Sequence, residues 1–226
     1  MSSFIIKMIA IITMFIDHLG AALQGHMEDV TTFRGIGRIA FPLFAFLIAE
    51  GCRHTKDINK YIFRLGAFAI ISQLPFYYFV GDLFYLNIFF TLTIAVICIA
   101  GAKKGKIYFA LLCVAAIFAT TVLHMDYGIM GVAVMVLLYF AKTKMKQMLV
   151  VLGFLFLLYN PNMSEIGLYF FLLGAVSLIP IMLYNGQKGF SNKYLQYGFY
   201  AFYPIHLAVL AIAALVLGYR TLGGLM

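Results

Sequence analysis

Apolar residues run through this chain in long blocks rather than in a two-residue alternation, and short polar stretches separate the blocks. A helix needs about 20 mainly apolar residues to cross a bilayer, with tolerance for tilt and for burial inside a bundle. The pattern predicts nine spans, at roughly 4–22, 36–52, 62–80, 86–101, 107–123, 127–141, 148–160, 165–184 and 197–218. The seventh is the shortest, because Asn160, Pro161 and Asn162 end it. Period-two patterning, the mark of an outer-membrane barrel, does not occur over these blocks. Connections are brief, so neighbouring helices pack antiparallel, and residues 1–226 read as one membrane domain without repeats or low-complexity tracts. The first block, MSSFIIKMIAIITMFIDH, lacks a small-residue cleavage site and reads as a retained span.

Composition agrees with lipid as the solvent. Apolar residues make up 64% of the chain and charged residues 11%, against roughly 25% charged in soluble proteins. In hydrocarbon every backbone amide must be paired internally, which leaves an all-α polytopic bundle as the fold class. Cys52, Cys98 and Cys113 show neither CxxC nor metal-ligand spacing, so they read as small apolar side chains, and no metal site is expected.

The few charges orient the bundle. Twelve of the sixteen basic residues fall in the connections after spans two, four, six and eight. They are Arg53, Lys56, Lys60 and Arg64; Lys103, Lys104 and Lys106; Lys142, Lys144 and Lys146; and Lys188 and Lys193. Lys7 lies near the same side, while Arg34, Arg38 and Arg220 fall on the other. Basic connections stay cytoplasmic during insertion, which predicts the N-terminus inside and the C-terminus outside. The net charge of +8 is then a topology signal, and nucleic acid is not needed to explain it.

Ionisable groups inside a membrane bundle are costly and mark functional sites or tight pairs. Here they gather towards the outer half. Asp17 and His18 close the first span, Arg34 and Arg38 stand four residues apart at the start of the second, and Asn87 opens the fourth. His124 and Asp126 occupy the turn after the fifth, and His206 lies within the ninth beside Tyr203. Each also has a plain reading. Asp17 and His18 can reach the headgroup layer, and Arg34 and Arg38 can pair with Glu28, Asp29 or lipid phosphate. His124 and Asp126 can belong to a tight turn. His206 sits roughly 14 Å into its helix, so a short imidazole must find a partner within the bundle. Gathered into one cavity, these groups suit proton transfer: a histidine base, a carboxylate from Asp17 or Asp126, and Arg, Asn or Tyr donors. No GxSxG, HExxH or Walker motif is present. A proton-coupled transporter fits the same inventory.

Several strings resemble the TraX family, known for a pilin N-acetylase of conjugative plasmids. They are MIAIITMFIDHLG (8–20), RGIGRIAFPLFAFLIAEGCRHTKDINKYIFRL (34–65), ISQLPFYYF (71–79), NIFFTL (87–92) and HMDYGIMGV (124–132). Their order fits over nearly the whole chain. YPIHL (203–207) is also similar to strings of other membrane acyltransferases. The resemblance implies a compact relative of the transmembrane acyltransferases that acetylate sugars or lysosomal glucosamine. It implies acetyl-CoA as cytosolic acyl donor, no metal, and a place in the bacterial cytoplasmic membrane. It puts His18 at the catalytic position, as general base or as an acetylated intermediate. Asp17 or Asp126 would be its electrostatic partner, and Arg53, Lys56, Lys60 and Arg64 would form the face for CoA phosphates. Arg34, Arg38, Asn87, His124, Tyr203 and His206 would serve the acceptor or an oxyanion. That acceptor is an amine or hydroxyl on a pilin N-terminus, a peptide or a sugar. The rivals are a proton-coupled carrier or channel, and a non-catalytic subunit of a conjugation or secretion apparatus.

Overall fold

The computed structural model describes residues 1–218; Arg220, one of the basic residues assigned to the outer side, lies outside them. Among the described residues the fold is all-helical. Eleven helices follow in chain order: α1 (Ser3–Leu23), α2 (Thr31–Gly37), α3 (Ala40–His54), α4 (Ile58–Val80), α5 (Ile88–Lys104) and α6 (Lys106–Val122). Then come α7 (Gly128–Phe140), α8 (Lys144–Tyr159), α9 (Glu165–Ala175), α10 (Leu178–Met182) and α11 (Lys193–Val216). Two pairs, α2 with α3 and α9 with α10, each form one broken rod, so nine rods stand where nine blocks were predicted. Five are long and apolar enough to cross a membrane: α1, α2–α3, α4, α9–α10 and α11.

The second rod starts at Thr31, earlier than the apolar block suggests, because polar Thr31, Thr32 and Arg34 continue the helix outward. Its break has a chemical cause. Pro42 supplies no N–H and its ring crowds the carbonyl four residues back, at Arg38. The chain tightens there, with Arg38 N–H donating to Gly35 O and Ile39 N–H to Ile36 O. Pro180 repeats the device against Val176: Val176 N–H reaches Leu173 O and Ser177 N–H reaches Gly174 O. The two breaks face each other, since a Cβ on Gly174 would come within 3.6 Å of Arg38 O.

α3 is the central rod. Leu43, Ala45, Phe46 and Ala49 on it are fully buried, and they meet Val96 and Ile99 of α5 and Met135 and Leu138 of α7 in one core. α6 presents Ile107, Leu111, Val114 and Phe118 outward, as expected of a lipid-facing helix.

The basic connections come together at one end. Lys103 Nζ donates to Cys52 O at 2.6 Å, tying α5 to α3. Lys144 Nζ reaches Ile181, Tyr184 and Met182 carbonyls at 2.7, 2.7 and 3.1 Å, capping α10 from α8. Residues 185–188 close the same end: Asn185 N–H donates to Met1 O, while Ser3 and Phe4 N–H donate to Gln187 and Lys188 carbonyls. Those two amides are helix-start donors with no partner inside α1. Lys144→Met should cost about 1.5–3 kcal/mol, because charge-assisted bonds to three carbonyls vanish together. Unfolding of the purified protein in mixed detergent would measure it, and an unchanged midpoint would refute the capping role.

Candidate active site

A cavity of about 940 Å³ runs through the bundle, at the upper end of the usual range for ligand pockets. One stripe of α1 lines it from end to end: Ser3, Lys7, Ile11, Met14, Asp17, His18 and Ala21. Eighteen residues of helix rise about 27 Å, so the cavity follows most of a membrane thickness. Faces of α3, α4, α5 and α11 complete the wall, with Phe44, Leu47, Leu65, Phe79, Leu92 and Phe199 giving it an apolar middle.

At the end that carries the basic connections, Lys7, Lys56, Arg64 and Lys188 line the cavity beside Asn192 and Gln196. Two of these cations sit over aromatic rings: Lys7 Nζ is 5.4 Å from the Phe199 centroid, and the Arg64 guanidinium is 5.6 Å from that of Tyr61. Such faces hold a cation in place without neutralising it. The string 53–64 does not act as one helical face, because α3 ends at His54 and α4 begins at Ile58. Arg53 turns the other way, onto the Glu50 carboxylate and the Leu138, Tyr139 and Ala141 carbonyls that end α7. Lys60 stays exposed beside Asp57, 3.4 Å away. Asp57 caps α4 by accepting Lys60 N–H, and that bond holds its carboxyl below the usual range.

The other end is built from α1, α2 and the connections around Asn87 and Asp126. Asp17 Oδ1 lies 2.7 Å from Arg38 Nη2 and 3.0 Å from Arg34 Nη1. Arg34 also donates to the Asp17 carbonyl, and Arg38 Nε to the Arg34 carbonyl. Arg38 lies against Tyr159 and Phe170, 6.0 and 5.3 Å from their centroids. Gly37 permits this approach: a Cβ there would fall 2.2 Å from Asp17 Cβ.

His18, one residue on, points to a different helix. Its Nδ1 is 2.7 Å from His206 Nε2 of α11, and His206 Nδ1 is 2.8 Å from Phe202 O. Phe79 and Tyr203 stand edge-on to the His18 ring at 5.4 and 6.2 Å. No carboxylate lies within ion-pair distance of His18 among the described residues.

Asp126 reaches the cavity from the α6–α7 connection. Its carbonyl accepts the Thr91 hydroxyl at 2.6 Å, and its amide donates to Leu86 O. Burial pushes its carboxyl up to about 6, the Asp17 charge adding to the rise and the Tyr85 hydroxyl, 3.4 Å away, opposing it. A carboxyl so placed can change its protonation near neutral pH.

The cavity thus brings together Asp17, His18, Arg34, Arg38, Asp126 and Tyr203, with Lys56 and Arg64 at its far end. Besides Arg53 and Lys60, three other expected site residues do not line it. Asn87 is fully buried, its amide donating to Ala69 O and Gln73 Oε1 and its oxygen capping α5 through Phe89 N–H. His124 is exposed, and its carbonyl takes Leu86 N–H. His206 lies behind His18 and is 4% exposed. Lys7 and Lys188 join the lining although sequence reasoning gave them only to topology. Lys7 had a readable signal: it stands eleven residues before His18, just over three full turns, so both share one face. Lys188 had none, being in an irregular segment. Among the described residues no three His, Cys, Asp or Glu side chains gather as a metal site.

Comparison with known proteins bears on this geometry. No solved structure matches the chain. Two curated relatives cover it almost end to end. One, named probable fimbrial assembly protein FimC, serogroup H1, of Dichelobacter nodosus, is 31% identical over 96% of this chain and 97% of its own length. The other, Protein TraX of Escherichia coli strain K12, is 29% identical over 93% of this chain and 86% of its own. The family model described as TraX protein matches residues 2–214, a stretch that carries α1 and His18, the paired arginines, Asp126 and His206 alike. The chain belongs to the TraX family.

Proposed function

We propose that this protein is an integral membrane acetyltransferase of the bacterial cytoplasmic membrane. Its basic end faces the cytosol, the nine rods cross or enter the bilayer, and the N-terminus lies inside. The observation that supports this most is one continuous cavity with cations at one end and a histidine beside a carboxylate–arginine cluster at the other. Acetyl-CoA is the donor. Its phosphates take the end lined by Lys7, Lys56, Arg64 and Lys188, and its pantetheine arm follows the apolar middle towards His18. His18 removes a proton from the acceptor amine or hydroxyl as that atom attacks the thioester carbonyl. The carbon–sulfur bond then breaks, and His18 returns the proton to the departing thiolate. Arg34 and Arg38 hold an anionic part of the acceptor or stabilise the oxyanion.

For the acceptor, the fimbrial name of one relative and the family's link to conjugative plasmids favour the N-terminal amine of a pilus subunit. The same name supports a second reading, a non-catalytic assembly factor. Purified protein given radiolabelled acetyl-CoA and a pilin N-terminal peptide separates the two. Label in the peptide is expected, and a well-folded protein that neither binds nor consumes acetyl-CoA would leave only the assembly reading. Charge reversal at Lys56 and Lys188 together should raise the KM for acetyl-CoA by about tenfold at low salt and by less at high salt, since exposed charges are screened. A KM independent of those residues would return them to topology.

A further inference from the structure

We propose that His206 is a positioning residue that fixes the tautomer of His18, leaving the His18 Nε2 lone pair as the base; this rests on the acetyl-transfer reading. The chain of bonds runs Phe202 O, His206 Nδ1, His206 Nε2, His18 Nδ1, with heavy-atom separations of 2.8 Å and 2.7 Å at the two contacts. A carbonyl oxygen only accepts, so His206 Nδ1 carries hydrogen. In a neutral imidazole the other nitrogen then has the lone pair. His206 Nε2 is therefore an acceptor, and the short contact with His18 requires hydrogen on His18 Nδ1. His18 Nε2 is left bare, on a residue that lines the cavity.

A doubly protonated His206 is the only other way to satisfy both contacts. It would place a cation at a 4% exposed position with no carboxylate within ion-pair distance among the described residues. An unpaired charge so buried is strongly disfavoured. The neutral arrangement therefore holds in the resting state.

His206 thus does for His18 what a carboxylate does for the histidine of a hydrolase triad, which it holds in one tautomer. When His18 Nε2 takes the acceptor proton, the Nδ1–H bond to His206 becomes charge-assisted and shorter. No oxidant or further reactant is involved, and the proton returns along the same path. Phe202 stacks on His206 with centroids 4.8 Å apart, while the His206 and His18 rings lie edge to edge, 24° from coplanar with centroids 4.9 Å apart, so the hydrogen bond runs close to both ring planes. Asp17 is left free for its arginines.

The experiment is nitrogen NMR of detergent-solubilised protein carrying ¹⁵N-histidine, assigned with His18→Asn and run beside turnover assays. The wild type should show His18 with hydrogen on Nδ1, the minor form of free imidazole. His206→Leu should return His18 to the Nε2–H form and lower kcat by about 10²-fold, the scale of a well-placed acid–base group, with the KM for acetyl-CoA unchanged. His206→Gln presents an oxygen where Nε2 stood, so it should keep the Nδ1–H signature and recover most of the rate. It also serves if the leucine variant does not fold. An Nε2–H signal for His18 in the wild type overturns the proposal, as does a signature that His206→Leu leaves in place. If the signature behaves as expected but no acetyl transfer is found, the pairing stands and the acetyltransferase reading falls.

Discussion

Replacing His18 by alanine should abolish acetyl transfer while leaving acetyl-CoA binding intact. His18 lines the cavity, and among the described residues no carboxylate stands within ion-pair distance of it to take over its proton. General-base removal typically costs about 10²–10⁴-fold in rate. The upper part of that range applies here, because the apolar middle of the cavity limits the water that could substitute. Binding should survive because the cations assigned to the phosphates are Lys7, Lys56, Arg64 and Lys188, with Lys7 about three turns away along α1. Isothermal titration and single-turnover transfer, measured side by side on His18→Ala, provide the check. Transfer at the wild-type rate would remove His18 from the chemistry and leave the family assignment untouched.

Asp17→Asn should be the most damaging substitution to the fold outside the apolar core. Two guanidiniums, 2.7 and 3.0 Å from one carboxylate oxygen, would face each other without a counter-charge. Breaking one side of a fully buried pair costs about 3–5 kcal/mol, mostly from the cation left behind; with these side chains 15–30% exposed, the lower end of that range applies. Arg38 cannot easily turn to water, since Tyr159 and Phe170 flank it. The expected readout is a large loss of resistance to unfolding by sodium dodecyl sulfate in mixed micelles. Asp17→Asn combined with Arg38→Met should recover part of it, a coupling that a double-mutant cycle resolves. A single variant as stable as the wild type would show that lipid or water already screens these arginines.

The nine rods were legible because a membrane span is a matter of composition over some twenty residues, and composition is what a sequence displays. The breaks at Arg38 and Val176 were not read, although Pro42 and Pro180 announce them, since the apolar blocks run straight across both. The outer cluster of Asp17, His18, Arg34, Arg38 and Asp126 was foreseeable for a similar reason. Ionisable groups in apolar blocks are few, so listing them nearly lists the site. Pairing was another matter. That His18 meets His206 rather than Asp126 depends on the rotation of α1 against α11, which no local pattern encodes. Spacing alone also misled at residues 53–64, where the run from Arg53 to Arg64 looks like one helical face. Thr55, Lys56 and Asp57 interrupt it, and Arg53 is drawn to the open carbonyls that end α7.

The start of α1 has a consequence for how the protein is made. Ser3 and Phe4 take their amide partners from Gln187 and Lys188, residues that leave the ribosome long after the first helix has entered the membrane. Chains emerge at about 5–20 residues per second, so those amides wait about ten seconds or more for their carbonyls. During that interval the wall that α1 shares with α11 does not exist, and His18 has no His206 beside it. The paired histidines are therefore absent from every nascent form and come together only when the last rod docks.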